Sequence, residues 1–408
     1  MNAIKQITTL LRQLGNSIKL NIPVLMAAVR KTGARLKPYA RTFLAAVQHA
    51  AKSAIPVFKR LLASLRKSFV KYRTLYLLLL PLFSIVISVK ILHTRYYGPN
   101  VAKTFTLFIR DNDNFEKVAT QLRAQGALKN TKSFEQFAAF KDYDTHVKPG
   151  AYKVQEGWSN NQLVNVLRSG AQTPVMVTFN NIRTFEELSG KLARQLQSDS
   201  LTFLHHFKKD SVAIQLGVTP ETLPALFVPN TYSLYWTTSP SGFLTRMKSE
   251  YEKFWNESRK LKAKNAGLTP DQVATLASIV QEESNKNDEK PVIAGVYLNR
   301  LRKNWPLQAD PTIRFALGDF TIRRVLKAQL AVDSPYNTYL KAGLPPGPIN
   351  FPEISSLEAV LNYRVHDFYY FCAREDFSGY HNFAKSLSEH NRNARKYQAA
   401  LNRMKVYK

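Results

Sequence analysis

Glu283 stands where a helix should carry an apolar residue. The helix that would carry it begins at Thr269-Pro270-Asp271-Gln272, with Thr as N-cap, Pro in the first turn and Gln placed to close a capping box. Counted forward at the helical period, Val273, Leu276, Ala277 and Val280 share one stripe, with Ile279 at its edge. Leu276, Val280 and Glu283 stand at i, i+4 and i+7, while Glu282 falls on the opposite side with Thr275 and Ser278. A carboxyl against apolar neighbours resists ionisation, so its pKa rises. A carboxyl still protonated near neutral pH is what a general acid for glycoside cleavage needs. The alternative is a helix-end Glu drawn to solvent and paired with a Lys or Arg, and the helix pattern does not separate the two.

Further polar residues gather downstream. Pro291 to Arg302 predicts a second helix whose stripe of Val292, Val296 and Asn299 lets Asn299 face the same cleft. In the loop Pro306 to Thr312, a Pro on each side of Gln308 and Asp310 fixes the backbone. Gln308 suits sugar hydroxyl or acetamide groups. Asp310 is either a second carboxylate or a helix cap for Thr312 to Leu317. Ser334-Pro335-Tyr336-Asn337-Thr338-Tyr339 follows, then Gly343-Leu344-Pro345-Pro346-Gly347-Pro348-Ile349-Asn350. The latter is too rich in Gly and Pro for helix or strand and reads as a fixed wall beside a cleft or a structural turn. Phe368 to Ala373 predicts an aromatic strand, followed by a turn at Gly379 and by His381-Asn382-Phe383; His390 and Asn391 sit on a later helix. Two histidines without nearby Cys or paired acids make a poor metal set, and no metal or cofactor is expected. No Gly-x-Ser-x-Gly elbow, phosphate loop or dinucleotide fingerprint is present.

These residues need elements to hold them, and 408 residues suffice for two or three domains. Cys372 is the single cysteine, so an intrachain disulfide and Cys-based metal sites are excluded. The net charge of +29 is uneven: fifteen Lys or Arg lie between Lys5 and Arg73, and the first acidic residue is Asp111. Leu75 to Val89 is an apolar run broken only by Pro81, Ser84 and Ser88, and residues 74–92 are expected to cross a membrane, with Lys90 snorkelling. A cleavable signal is excluded because roughly seventy residues precede the run. The positive-inside rule places the basic segment 1–73 in the cytoplasm and everything after Tyr96 outside. Val57-Phe58-Lys59-Arg60-Leu61-Leu62 and Leu65-Arg66-Lys67 fit basic amphipathic helices on anionic lipid; disorder of Met1 to Pro56 is the alternative there. Charge alone would permit nucleic-acid binding, but no binding motif accompanies it and none is expected. From Lys103 the pattern is globular. Strands at Thr104–Arg110, Gly150–Val154 and Pro174–Phe179 alternate with helices at Asn114–Gln125, Ser133–Lys141 and Ser159–Arg168 in a small α+β module, 103–180. A mainly helical connecting region, 181–267, leads to the segment 268–408 that holds the polar cluster.

LASIVQEES, VYLNRLRKNWPLQADPT, SPYNTY with KAGLPPGPI, and HNF occur in an order and spacing that resemble the endolytic murein transglycosylases, the YceG-like family. Upstream, FIRDNDNFEKVATQLRAQGALKN and VKPGAYKV are similar to that family's LysM-like subdomain, so the resemblance covers about Lys103 to Lys408. The fold it implies is α+β: a single-pass protein of the bacterial cytoplasmic (inner) membrane, with a LysM-like module followed by an α+β catalytic domain outside. The activity it implies is cleavage of the bond between N-acetylmuramic acid and N-acetylglucosamine within peptidoglycan glycan strands. That leaves 1,6-anhydro ends and terminates new strands near penicillin-binding synthases. The family's I-V-E-x-E motif has Gln281 at its first Glu, so Glu283 alone keeps the acid, and Glu283 is the expected catalytic residue. In a mechanism built on Glu283, Gln308, Asn337 and Tyr339 would orient the sugar, Asp310 would lie beside the substrate, and Asn299 would hold Glu283 in place. Two departures stand out: Asn180-Asn181-Ile182 replaces the family's Pro-Glu-Gly turn, and the basic extension is long. A hydrolytic muramidase, with Asp310 activating water, and a non-catalytic peptidoglycan-binding anchor are the competing expectations.

Overall fold

The computed structural model describes residues 37–404. The described chain divides into two compact units, with the boundary between Thr94 and Arg95. In the first, helix α1 (Lys37–Lys71) accommodates Pro56, and helix α2 (Arg73–Tyr97) accommodates Pro81. Leu77–Tyr97 is long and apolar enough to cross a membrane, with a mean hydropathy of 2.0 and none of it buried in the protein. Of the two alternatives for Met1 to Pro56, helix is found from Lys37 onward; the earlier part lies outside the described residues.

The second unit is mixed α+β and mostly helical, built round three apolar cores. In the first core, β1 (Phe105–Ile109) pairs antiparallel with β2 (Gly150–Val154), with Leu107 opposite Tyr152. Leu107 and Ile109 point inward and Phe108 outward, as strand alternation requires. Helices α3 (Phe115–Ala124), α4 (Thr131–Phe140) and α5 (Asn160–Ser169) cover the pair. Each starts on a side-chain cap, Asn114, Asn130 and Ser159, the last in a full capping box with Gln162.

The strand β3 (Val175–Phe179), expected to complete this module, instead pairs with β4 (Asn230–Leu234) in the region expected to be mainly helical. Val177 and Phe179 pack against Leu188, Phe203, Phe227 and Phe243 in the second core. Helices α6 (Phe185–Ala193), α7 (Ser200–Phe207), α8 (Asp210–Leu216) and α9 (Pro240–Phe254) close round it. Phe351 joins this core from far downstream, its ring centroid 5.2 Å from that of Phe185 and 5.3 Å from that of Phe227.

After α10 (Glu257–Ala266), helix α11 (Pro270–Glu283) runs through the third core. Its Thr269/Gln272 capping box forms as the sequence predicts. The two-faced helix does not: every residue from Val273 to Val280 is buried, Thr275 and Ser278 included. Thr275 Oγ1 donates to Asp271 O (2.8 Å), and Ser278 Oγ donates to Thr275 O (2.7 Å). The Gly/Pro-rich segment lies over this side, with Ile349 N donating to Ser278 Oγ (2.9 Å) and Asn350 Nδ2 to Ser278 O (3.0 Å). Small hydroxyls that satisfy themselves within the helix can be buried at little cost, so they do not mark a solvent face.

Helix α12 (Lys290–Arg302) packs beside α11, followed by α13 (Asp310–Leu317) and α14 (Ile354–Leu361). Strands β5 (Tyr370–Ala373) and β6 (His381–Ala384) form an antiparallel hairpin, and α15 (Leu387–Arg403) ends the described chain. The segment entering β5 lies directly on α12 at Gly295, where a Cβ would come within 2.4 Å of Arg364 O and 2.6 Å of His366 Nε2. Gly295→Ala is expected to push this segment off the helix and cost about 1–3 kcal/mol, measured by denaturant unfolding. An unchanged midpoint would show that the contact yields freely.

Candidate active site

Helix α11 delivers Glu283 as its last residue, beside the facing helix α12. The side chain is partly buried. Tyr297 Oη, itself buried, donates to Glu283 Oε1 at 2.7 Å. Burial raises the Glu283 pKa; the Tyr297 bond and the charges of His381 and Arg314 oppose that rise, and the charge of Asp310 adds to it. The net result is a carboxyl held above its ordinary range. Tyr297 is driven well above its own ordinary value, by burial first and then by Glu283, so it remains a donor.

Asp310 opens helix α13 and is exposed. It is a first-turn residue, not a side-chain cap: the N-cap is Ala309, which makes no side-chain bond. Its Oδ1 accepts from Tyr339 Oη at 2.5 Å. Burial, then the bond to Asp310, raises the Tyr339 pKa, with a smaller contribution from the Glu283 charge. Glu283, Asp310, Tyr297 and Tyr339 therefore form one electrostatic group of two carboxyls, each served by a phenol.

The remaining expected residues are placed differently. Asn299 does not hold Glu283; its Nδ2 donates to His366 O (2.7 Å) and Phe368 O (3.1 Å), which fastens the approach to β5. Asn337 is fully buried, with Nδ2 donating to Leu330 O (2.9 Å) and Val332 O (2.8 Å) and Oδ1 accepting from Tyr339 N (3.0 Å). It shapes the loop that aims Tyr339 and has no amide left for a sugar. Gln308 adopts a left-handed backbone (φ +50°), its N–H donates to Thr338 O (2.9 Å), and its side chain is exposed. Thr338 also binds Ala309 N (3.0 Å) and Thr312 Oγ1 (2.9 Å), so the two loops form one braced unit. Glu282 leaves the other side of α11 and pairs with Arg183 (3.3 Å) and Asn350 Nδ2 (3.2 Å).

Three site residues escape the sequence reading. A tyrosine among the apolar positions of α12 is the one available signal for Tyr297, because a buried phenol needs a partner. Arg300 is buried, donating to Tyr369 O (2.7 Å) and Leu307 O (2.6 Å). Burial lowers its pKa, and the neighbouring tyrosines and Glu283 counter that. Glu289 is buried in front of α12 and accepts from Ser284 Oγ (3.1 Å), His381 N (2.7 Å) and His381 Nδ1 (2.8 Å). A carboxylate can only accept, so the imidazole proton sits on Nδ1. Burial alone would raise the Glu289 pKa, but these bonds outweigh it and leave the group below its ordinary value. Among the described residues no group of three His, Cys, Asp or Glu is arranged to hold a metal ion.

The YceG-like family profile matches residues 107–396, which takes in most of the first core, the second core and the whole Glu283 site. The chain belongs to the YceG-like family. It is 30% identical over 326 residues to an endolytic murein transglycosylase of Streptococcus pneumoniae serotype 2, covering 72% of this chain and 58% of that protein. It is 28% identical over 314 residues to an endolytic murein transglycosylase of Bacillus subtilis, covering 73% of this chain and 86% of that protein. The match thus spans just over half the length of the streptococcal YceG-like relative. A crystal structure of a yceG-like protein from Listeria monocytogenes is 26% identical, covers 71% of this chain and 99% of its own, and gives a TM-score of 0.48.

Proposed function

We propose that this YceG-like chain is a membrane-anchored endolytic lytic transglycosylase, acting outside the cytoplasmic membrane on the bond between N-acetylmuramic acid and N-acetylglucosamine in peptidoglycan strands. The observation that carries the reading is Glu283, a carboxyl whose pKa is raised by burial while a phenol fixes one of its oxygens. The names of the relatives agree with it. Tyr297 donates to Oε1, which leaves Oε2 to carry the proton. Glu283 gives that proton to the glycosidic oxygen as the bond to the muramic C1 breaks. The carboxylate so formed takes the proton of the muramic 6-hydroxyl, whose oxygen closes on C1. One carboxyl serves both steps, and no water enters. Tyr339 and the exposed Gln308 line the approach to the sugar. A LysM-like reading of the first core, β1 and β2 with α3 to α5, and the termination of strands beside penicillin-binding synthases complete the proposal.

Asp310 supports a second reading. It lies near enough to Glu283 to raise its pKa, so a hydrolytic muramidase with Asp310 activating water is the competing chemistry. Digestion of purified peptidoglycan tests whether the chain is an enzyme at all: soluble glycan fragments are expected from the wild type, and binding without release would overturn both readings.

The Tyr297 bond favours the ionised Glu283, so Tyr297→Phe is expected to raise the Glu283 pKa further. The alkaline limb of kcat/KM should move to higher pH, while the rate at the optimum falls about 10-fold through loss of a bond to a charged group. A lower rate with an unmoved limb would show that the phenol acts only through packing.

A further inference from the structure

Helix α1 supplies none of the residues that surround Glu283, yet its surface is sharply sorted. At the helical period, Ile55, Phe58, Leu61, Leu62 and Leu65 fall within about a third of the circumference. Ile55, Phe58, Leu61 and Leu65 are about half exposed, at 52%, 46%, 54% and 56%. Arg66, Lys59 and Lys52 border this strip on one side, and Lys67 and Arg60 lie beyond on the rest of the helix; all five are exposed. No acidic residue precedes Asp111 in the sequence, so nothing on α1 neutralises these cations internally. Only Tyr72 separates α1 from the apolar helix α2, and its N–H still donates to Ser68 O (2.9 Å).

We propose that α1 lies in the plane of an anionic phospholipid leaflet, its Ile55, Phe58, Leu61, Leu62 and Leu65 strip in the acyl boundary and its Lys and Arg side chains on headgroup phosphates. This rests on the reading of α2 as a membrane span, since α2 then brings the end of α1 to the bilayer surface. The sign of the charge selects anionic lipid, and the flanking cations have stems long enough to reach phosphates while the strip is immersed. In this proposal the change from lying along the membrane to crossing it falls near Tyr72, the one residue between the two helices.

The test uses the full chain in a Cys372→Ser background, with an environment-sensitive fluorophore on one new cysteine: Leu61→Cys, Arg60→Cys or Ile85→Cys. Each protein is reconstituted into phosphatidylcholine vesicles with and without phosphatidylglycerol, and quenching by nitroxide-bearing lipid is read. Quenching at position 61 should exceed that at position 60 at least about two-fold in anionic vesicles, and should fall in neutral vesicles, at high salt, and when Lys59→Gln, Arg60→Gln, Arg66→Gln and Lys67→Gln are combined. Position 85 should be quenched in both lipids. Quenching at 85 with no difference between 61 and 60 would overturn the surface while keeping the span. No quenching at 85 would remove the span and the surface with it. A position 61 shielded in both lipids yet unquenched would identify a second copy of α1 as the occupant and overturn the proposal.

Discussion

Glu283→Gln is expected to lower peptidoglycan cleavage by about 10²–10⁴-fold, the usual contribution of a positioned general acid–base group. The amide keeps the shape of the side chain and an oxygen for Tyr297, so the loss should fall in kcat with little change in KM. The same variant should gain stability near neutral pH. In the folded protein the Glu283 pKa lies above its ordinary 4.5, so the folded state holds a proton that the unfolded chain has already released. Wild-type stability therefore falls as pH rises through that window, whereas the amide has nothing to ionise. A gain in stability is expected at pH 7, shrinking to nothing as pH drops below the ordinary carboxyl range. An inactive variant whose stability tracks the wild type at every pH would keep the catalytic assignment and reject the raised pKa.

Glu289 should behave in the opposite sense. Glu289→Ala removes a buried carboxylate that satisfies Ser284, the backbone N–H of His381 and the His381 imidazole together. Removing one partner from a buried charged network costs about 3–5 kcal/mol, because the others are left without acceptors. The folded pKa of Glu289 is depressed, so its contribution is full above the ordinary carboxylate range and is lost as pH falls through the lowered value. The destabilisation in urea should therefore be largest near neutral pH and smaller in acid. Because Glu289 anchors β6 to the start of α12, activity should fall with it. A loss below about 1 kcal/mol would mean that water replaces the carboxylate.

The two carboxylates show how far the sequence could be read. The helix carrying Glu283 was legible from its start signals, but its register left a buried acid and a solvent-drawn one equally open, and the family motif supplied the choice. The helix starts at Ser159 and Thr269 were legible because their caps are local bonds between neighbouring residues. Glu289 lies in a polar run, Asn285 to Lys290, that resembles any solvated loop, and only the returning hairpin at His381 buries it. Asn299 had the right type and place to support Glu283, and Asn337 to orient a sugar, but an asparagine amide takes whichever acceptors the tertiary fold offers. Here those acceptors are backbone carbonyls from segments far along the chain or just upstream. Strand β3 was placed correctly as a strand and assigned to the wrong neighbour, since its partner Asn230–Leu234 lies more than fifty residues away and only pairing shows which core it serves.

The central claim is that a hydroxyl of the sugar, and not water, completes the reaction at Glu283. Digesting purified peptidoglycan in water enriched with heavy oxygen, and weighing the released fragments by mass spectrometry, tests it most directly. The account predicts anhydro-ended fragments carrying no heavy oxygen at the new end. Fragments with a reducing end that has gained one heavy oxygen would contradict it and give Asp310 the role of base.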